Sequence, residues 1–122
     1  MLANKAIPPP QVTIGQEYIE QIKDRKKTVE VRICEAFFRN LPPGNRIEFI
    51  GSDNPRHSIC CRIRYTKRYN NLRELLERKG YKNCLPNASS LEEALSVYQG
   101  IQEFAHQVSK CGVLAIGIEA IA

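Results

Sequence analysis

The segment from Gln16 to Ile33, QEYIEQIKDRKKTVEVRI, changes its hydrophobic period midway, which dictates a helix handing over directly to a strand. In the first half Tyr18, Ile19 and Ile22 share one helix face, while Glu17, Glu20 and Lys23 point elsewhere. The spacing predicts a helix ending near Lys26. From Thr28 onward the residues alternate strictly, with Val29, Val31 and Ile33 on one side and Thr28, Glu30 and Arg32 on the other. That is the pattern of a half-buried strand, entered through the charged corner Asp24-Arg25-Lys26-Lys27. The polar side of the strand sets a hydroxyl, a carboxylate and a guanidinium in a row. Such a row either recognises a polar, anionic ligand or is a solvated face whose charges pair with one another.

A chain of 122 residues fits one domain, able to bury about two-thirds of its unfolded surface. Its apolar runs fall short of the roughly 18 residues that a membrane helix needs. The opening MLANKAIPPP lacks an apolar signal core, so a cytoplasmic home is expected, with a nuclear one as the alternative. The five cysteines, Cys34, Cys60, Cys61, Cys84 and Cys111, include an adjacent pair and no C-x-x-C spacing. Neighbours on a strand face opposite ways, so reduced, mostly buried thiols are expected, with no metal and no cofactor.

Lys and Arg total 18 against 13 Asp and Glu, a net charge of +5 that favours polyanionic partners. The excess gathers at Lys23–Arg32 and again at Arg62–Arg68, whereas Ser89–Glu103 is acidic. Side by side in the fold, the two basic segments would make one positive face.

Residues 1–10 read as an extended lead-in ending in Pro8-Pro9-Pro10, and residues 11–122 as the domain. Val12–Ile14 suits a short strand, with Thr13 and Gln16 as a cap for the helix that follows. Glu35–Asn40 is a connector with aromatic cover, and Leu41-Pro42-Pro43-Gly44-Asn45 is a turn into a strand over Arg46–Ile50. The strand Ser58–Thr66 sets Ile59, Cys61, Ile63 and Tyr65 against Cys60, Arg62 and Arg64. Lys67, Arg68 and Tyr69 extend its charge. The tyrosines beside these cations could stack unpaired bases or pack as core and rim. Asn70 or Asn71 caps a helix carrying Leu72, Leu75 and Leu76 that stops at Gly80. Tyr81–Asn87 reads as irregular. Ser89 and Ser90 precede Glu92 and Glu93 by three residues, the spacing of overlapping capping boxes. Gln102–Lys110 is either a further turn of helix or a packed loop, and Val113–Ile121 is a strand buried on both faces. The irregular alternation of strands and helices disfavours a doubly wound sheet and favours an α+β fold, a small mixed β-barrel of five or six strands with helices around it.

The order helix, basic corner, Lys27-Thr28-Val29-Glu30-Val31-Arg32, Pro-Gly turn and strand Ile47-Glu48-Phe49 resembles the ASCH domain, a family of PUA-like barrels. The family signature, of the form G-x-K-x-x-x-x-R, aligns here with Arg25 to Arg32, its glycine replaced by Asp24 or Arg25. Gly112–Ile118 is similar to the family's last strand. The resemblance spans roughly residues 11–121 and implies RNA-related work in a cleft beside the signature.

On this resemblance the partner is RNA or a modified nucleoside, with no membrane involved. A basic cleft beside the signature would hold single-stranded or modified RNA through Lys26, Lys27, Thr28, Glu30, Arg32, Arg62, Arg64, Lys67, Arg68 and Tyr69. The alternative is an RNA-processing enzyme, either a ribonuclease or an amidohydrolase acting on a nucleoside such as acetylcytidine. Lys27 and Glu30 would then be catalytic. The amidohydrolase subfamily uses the signature lysine, a threonine three residues later and a glutamate after the later strands. Here Lys27 matches, Glu30 stands at the threonine position, and Leu85–Asn87 holds no carboxylate.

Overall fold

The computed structural model describes residues 8–121, so most of the expected lead-in lies outside the described residues. Five strands and six helices follow in the order β1 (Gln11–Ile14), α1 (Gln16–Lys23), β2 (Val29–Ile33), α2 (Ala36–Arg39), β3 (Arg46–Gly51), β4 (Ser58–Tyr69), α3 (Leu72–Lys79), α4 (Tyr81–Cys84), α5 (Leu91–Gln99), α6 (Phe104–Cys111) and β5 (Val113–Ala120). The sheet runs β1-β3-β4-β5-β2 and curls into a half-barrel. β1 pairs parallel with β3, and the other pairings are antiparallel. This is the mixed α+β barrel architecture that the element pattern predicts. None of the described helices is long and apolar enough to cross a membrane.

Both faces of the sheet are covered. On one face Val29, Val31, Val113 and Ala115 pack with Leu75, Leu76, Ala94, Leu95 and Tyr98 of the helices after β4. On the other, Ile116, Ile118, Phe49, Ile47 and Ile63 pack beneath Ile19 and Ile22 of α1. β5 lies between β4 and β2, and all of Val113–Ile118 is buried. Asn71 caps α3 by accepting from the Glu74 amide, and Ser90 caps α5 by accepting from Glu93.

Three local expectations are corrected. The first helix ends at Lys23, because Arg25 adopts the left-handed region (φ 63°) and turns the chain. The amides of Lys26 and Lys27 then both bond the Gln21 carbonyl, at 2.9 and 3.0 Å. Thr13 is not its cap: Thr13 is paired in β1, and Gly15 occupies the cap position without a side-chain bond. Tyr81–Cys84 forms a short helix rather than irregular chain, and Phe104–Cys111 resolves to a helix.

The polar side of β2 is more enclosed than its alternation alone indicates. Glu30 aligns with Ile116 of β5, which belongs to the face under α1, so that side is enclosed rather than solvated. Glu30 is only 7% exposed and Lys27 only 2%.

Candidate functional site

A buried ammonium needs all its protons satisfied. Lys27 follows the α1 turn and leads into the free edge of β2, where carbonyls are not consumed by a neighbouring strand. Its Nζ donates to the carbonyls of Val29 (2.8 Å) and Cys84 (2.6 Å) and lies 3.2 Å from Glu30 Oε1. The Tyr18 ring sits 5.2 Å from the same nitrogen, presenting its negative face. Arg32 closes the group, its Nε donating to Glu30 Oε2 at 2.7 Å. Burial pushes the Glu30 carboxyl up, but the charges of Lys27 and Arg32 outweigh it and hold the pKa below the ordinary carboxylate value. Two cations and one carboxylate leave a single net positive charge.

This trio floors a cleft of about 350 Å³ running along the open side of the half-barrel, between β1 and β2. Thr13 and Ile14 of β1, Gly15 at the α1 cap, Tyr18 of α1 and Phe38 of α2 form one flank. Leu85, Val97, Tyr98, Ile101 and Phe104 form the other. Tyr98 and Phe104 stack with centroids 5.8 Å apart, and the Arg32 guanidinium lies 5.1 Å from the Phe38 centroid. Val97 and Ile101 are 46% and 51% exposed, unusual for residues of their size, and both stand at the cleft. Tyr98 Oη is buried and has no hydrogen-bond partner among the described residues.

A second cleft of about 280 Å³ opens on the other side of the α1–β2 junction, lined by Arg25, Lys27, Thr28, Arg64, Tyr65 and Glu119. Arg25 and Arg64 each lie within 3.4 Å of Glu119 Oε2. Tyr65 lies across Gly117, leaving no room there for a side chain.

The expected site residues therefore divide. Lys27, Glu30 and Arg32 meet in the first cleft, and Lys27, Thr28 and Arg64 in the second. Lys26 is exposed on the turn between them. Arg62 belongs elsewhere: it donates to the Gly44 carbonyl (3.3 Å) in a groove with Arg46 and Pro8–Pro10. Lys67 is exposed at 6.0 Å from the Tyr69 centroid, and Arg68 is tied to the Cys111 carbonyl and Asn70. Tyr69 is 7% exposed within the helix-side core, so its ring is a packing group with no open face for a base. The two basic segments meet only in part: Arg25 and Arg64 share Glu119 at the second cleft, whereas Arg62 lies in a separate groove. Tyr18, Tyr98, Phe104 and Phe38 are cleft residues that sequence patterning alone assigns to helix faces or core cover.

In this geometry the protons of Lys27 and both oxygens of Glu30 are engaged. The pair is built to hold charge in place, and a proton-transfer role would require one of these bonds to open.

The sequence model of the ASCH domain matches residues 12–122. The crystal structure of hypothetical protein PH0355 is 32% identical, with a TM-score of 0.82, covering 93% of this chain and 100% of that one. The solution structure of protein PF0455 from Pyrococcus furiosus is 34% identical, with a TM-score of 0.72 over 93% of this chain and 98% of that one. The crystal structure of ASCH from Zymomonas mobilis shares the fold at 18% identity and a TM-score of 0.56, covering 91% of this chain and 68% of that one. No curated protein matches the chain. The chain belongs to the ASCH domain family, which is generally RNA-associated.

Proposed function

We propose that this protein binds single-stranded or modified RNA, taking one unpaired base into the cleft along β2. The supporting observation is the combination in that cleft of a net positive floor with aromatic walls and an exposed apolar rim at Val97 and Ile101. A volume of about 350 Å³ suits one flat heterocycle and is far too small for a duplex. The phosphates pass over Arg25 and Arg64, whose side chains are each 59% exposed at the adjoining cleft. Base stacking on aromatic side chains supplies about 1–3 kcal/mol per base, and phosphate contacts add a salt-dependent component.

The test is fluorescence anisotropy of a labelled single-stranded RNA at two salt concentrations. Ile101→Glu, at an exposed rim position, weakens binding roughly tenfold by placing an anion at the cleft mouth. Arg64→Ala lowers the salt slope by about one phosphate contact, and Arg62→Ala, in a separate groove, leaves it unchanged. Absence of RNA affinity at low salt removes the reading. The enzymatic alternative, a ribonuclease or nucleoside amidohydrolase, is read in parallel by turnover of labelled RNA and of acetylcytidine. Any turnover counts for this chain only if Lys27→Ala abolishes it.

A further inference from the structure

Tyr98 stands on the last turn of α5, is 6% exposed, and stacks on Phe104. Buried hydroxyls are ordinarily paired, and this one is not. The residue lines the cleft floored by Lys27, Glu30 and Arg32, with its oxygen buried behind the wall. Burial pushes the phenol pKa well above its ordinary value, with further push from Cys84 and Glu30, so the group is a neutral O–H donor throughout the physiological range. No acceptor among the described residues, Glu30 included, lies within hydrogen-bonding geometry of it. What the hydroxyl lacks is therefore an acceptor brought in from outside. The surrounding wall, with Leu85, Phe104 and Ile33, favours an uncharged, planar carrier for that acceptor.

We propose that Tyr98 is a specificity-determining residue whose hydroxyl donates to an exocyclic carbonyl of the bound base, selecting keto-bearing bases over adenine, which has none. The proposal rests on the cleft being the base-binding site. It adds a chemical rule for which base enters. A site that hydrogen-bonds a ligand group rejects the analogue without it, because a buried polar group is then left unpaired.

The experiment measures binding of short oligo-U and oligo-A to the wild-type protein and to Tyr98→Phe, alongside the thermal midpoint of each. The wild type prefers oligo-U. Tyr98→Phe loses about tenfold in affinity for oligo-U, a change of about 1.4 kcal/mol, keeps its affinity for oligo-A, and so loses the preference. Its thermal midpoint stays equal or rises, since the hydroxyl has no partner to lose among the described residues. Comparing the oligo-U to oligo-A ratio between the two proteins cancels the intrinsically stronger stacking of adenine. A variant that binds RNA with the wild-type ratio overturns the assignment and leaves the cleft reading standing. A lower midpoint accompanied by an equal loss for both oligomers also overturns it, by showing a structural role. A wild type that binds neither oligomer overturns the cleft reading and the assignment together.

Discussion

Arg32 on β2 donates from its terminal nitrogen to the carbonyl of Thr13 on β1 at 3.0 Å, joining the two edges of the sheet across its open side. The same guanidinium holds Glu30 through Nε. One side chain thus links the seam of the half-barrel to the charge on the cleft floor.

Arg32→Ala removes both bonds and leaves Glu30 with Lys27 alone. Hydrogen bonds involving a charged group contribute about 1.5–3 kcal/mol, so a loss of about 2–3 kcal/mol is expected in urea denaturation. Arg32→Lys recovers little, because an ammonium cannot span Glu30 and Thr13 in the manner of a planar fork. Recovery of full stability by lysine would contradict the seam assignment.

Glu30→Gln leaves a buried ammonium with two neutral carbonyls. Breaking a buried pair from one side costs about 3–5 kcal/mol, which for a domain of this size lowers the thermal midpoint by on the order of 10 °C. The pH dependence has a defined sign. The folded pKa of Glu30 is depressed, so its contribution is complete above the ordinary carboxylate value of 4.5 and is lost as pH falls through the lower folded value. The gap between wild type and Glu30→Gln stays constant from pH 5 to 7 and narrows only as pH falls below 4.5. A gap that narrows near neutrality would show the carboxyl to be protonated there.

The thiols provide a probe of burial. Cys34, Cys61 and Cys84 are buried, Cys60 is partly covered and Cys111 is exposed. Burial, with Cys60 and Glu30 adding, pushes the Cys61 thiol to about 12, and burial likewise takes Cys84 to about 11. A thiol reagent under native conditions therefore labels Cys111 first and Cys60 more slowly, and reaches the other three only on unfolding. Fast labelling of Cys84 would mean that the Lys27 carbonyl partner is not held as described.

The helix caps were written plainly in the chain. Asn71→Ala and Ser90→Ala each remove a side-chain acceptor from an exposed amide and cost about 1 kcal/mol, measurable by urea denaturation. An effect under a few tenths of a kcal/mol at both positions would indicate frayed helix starts.

Much of the fold is legible in local pattern. The period change from α1 to β2, the caps at Asn71 and Ser90 and the apolar run of β5 each depend on neighbours within a few residues, which is what sequence periodicity records. The site is legible only in part. Lys27, Glu30 and Arg32 stand out as charges interrupting a strand pattern, yet alternation reads them as solvated because it cannot show α1 folding over that face. Arg62 and Tyr69 fail for a related reason. Arg62 precedes the bulge and pairs with Arg46 of β3, while the register shift between Ile63 and Tyr65 carries the residues beyond it, Tyr69 included, to the helix-side core. Tyr98 has the helical spacing of a core residue and is packed like one. Only the coordinates reveal that its hydroxyl ends without a partner beside the ion trio.

The most direct test of the cleft is a chemical-shift titration of isotope-labelled protein with a short single-stranded RNA at low salt. The account predicts the largest shifts in Tyr18, Glu30–Ile33 and Val97–Phe104, smaller ones at Arg25 and Arg64, and none at Arg46 and Arg62. Shifts centred on the Arg46–Arg62 groove, or none along β2, would contradict it.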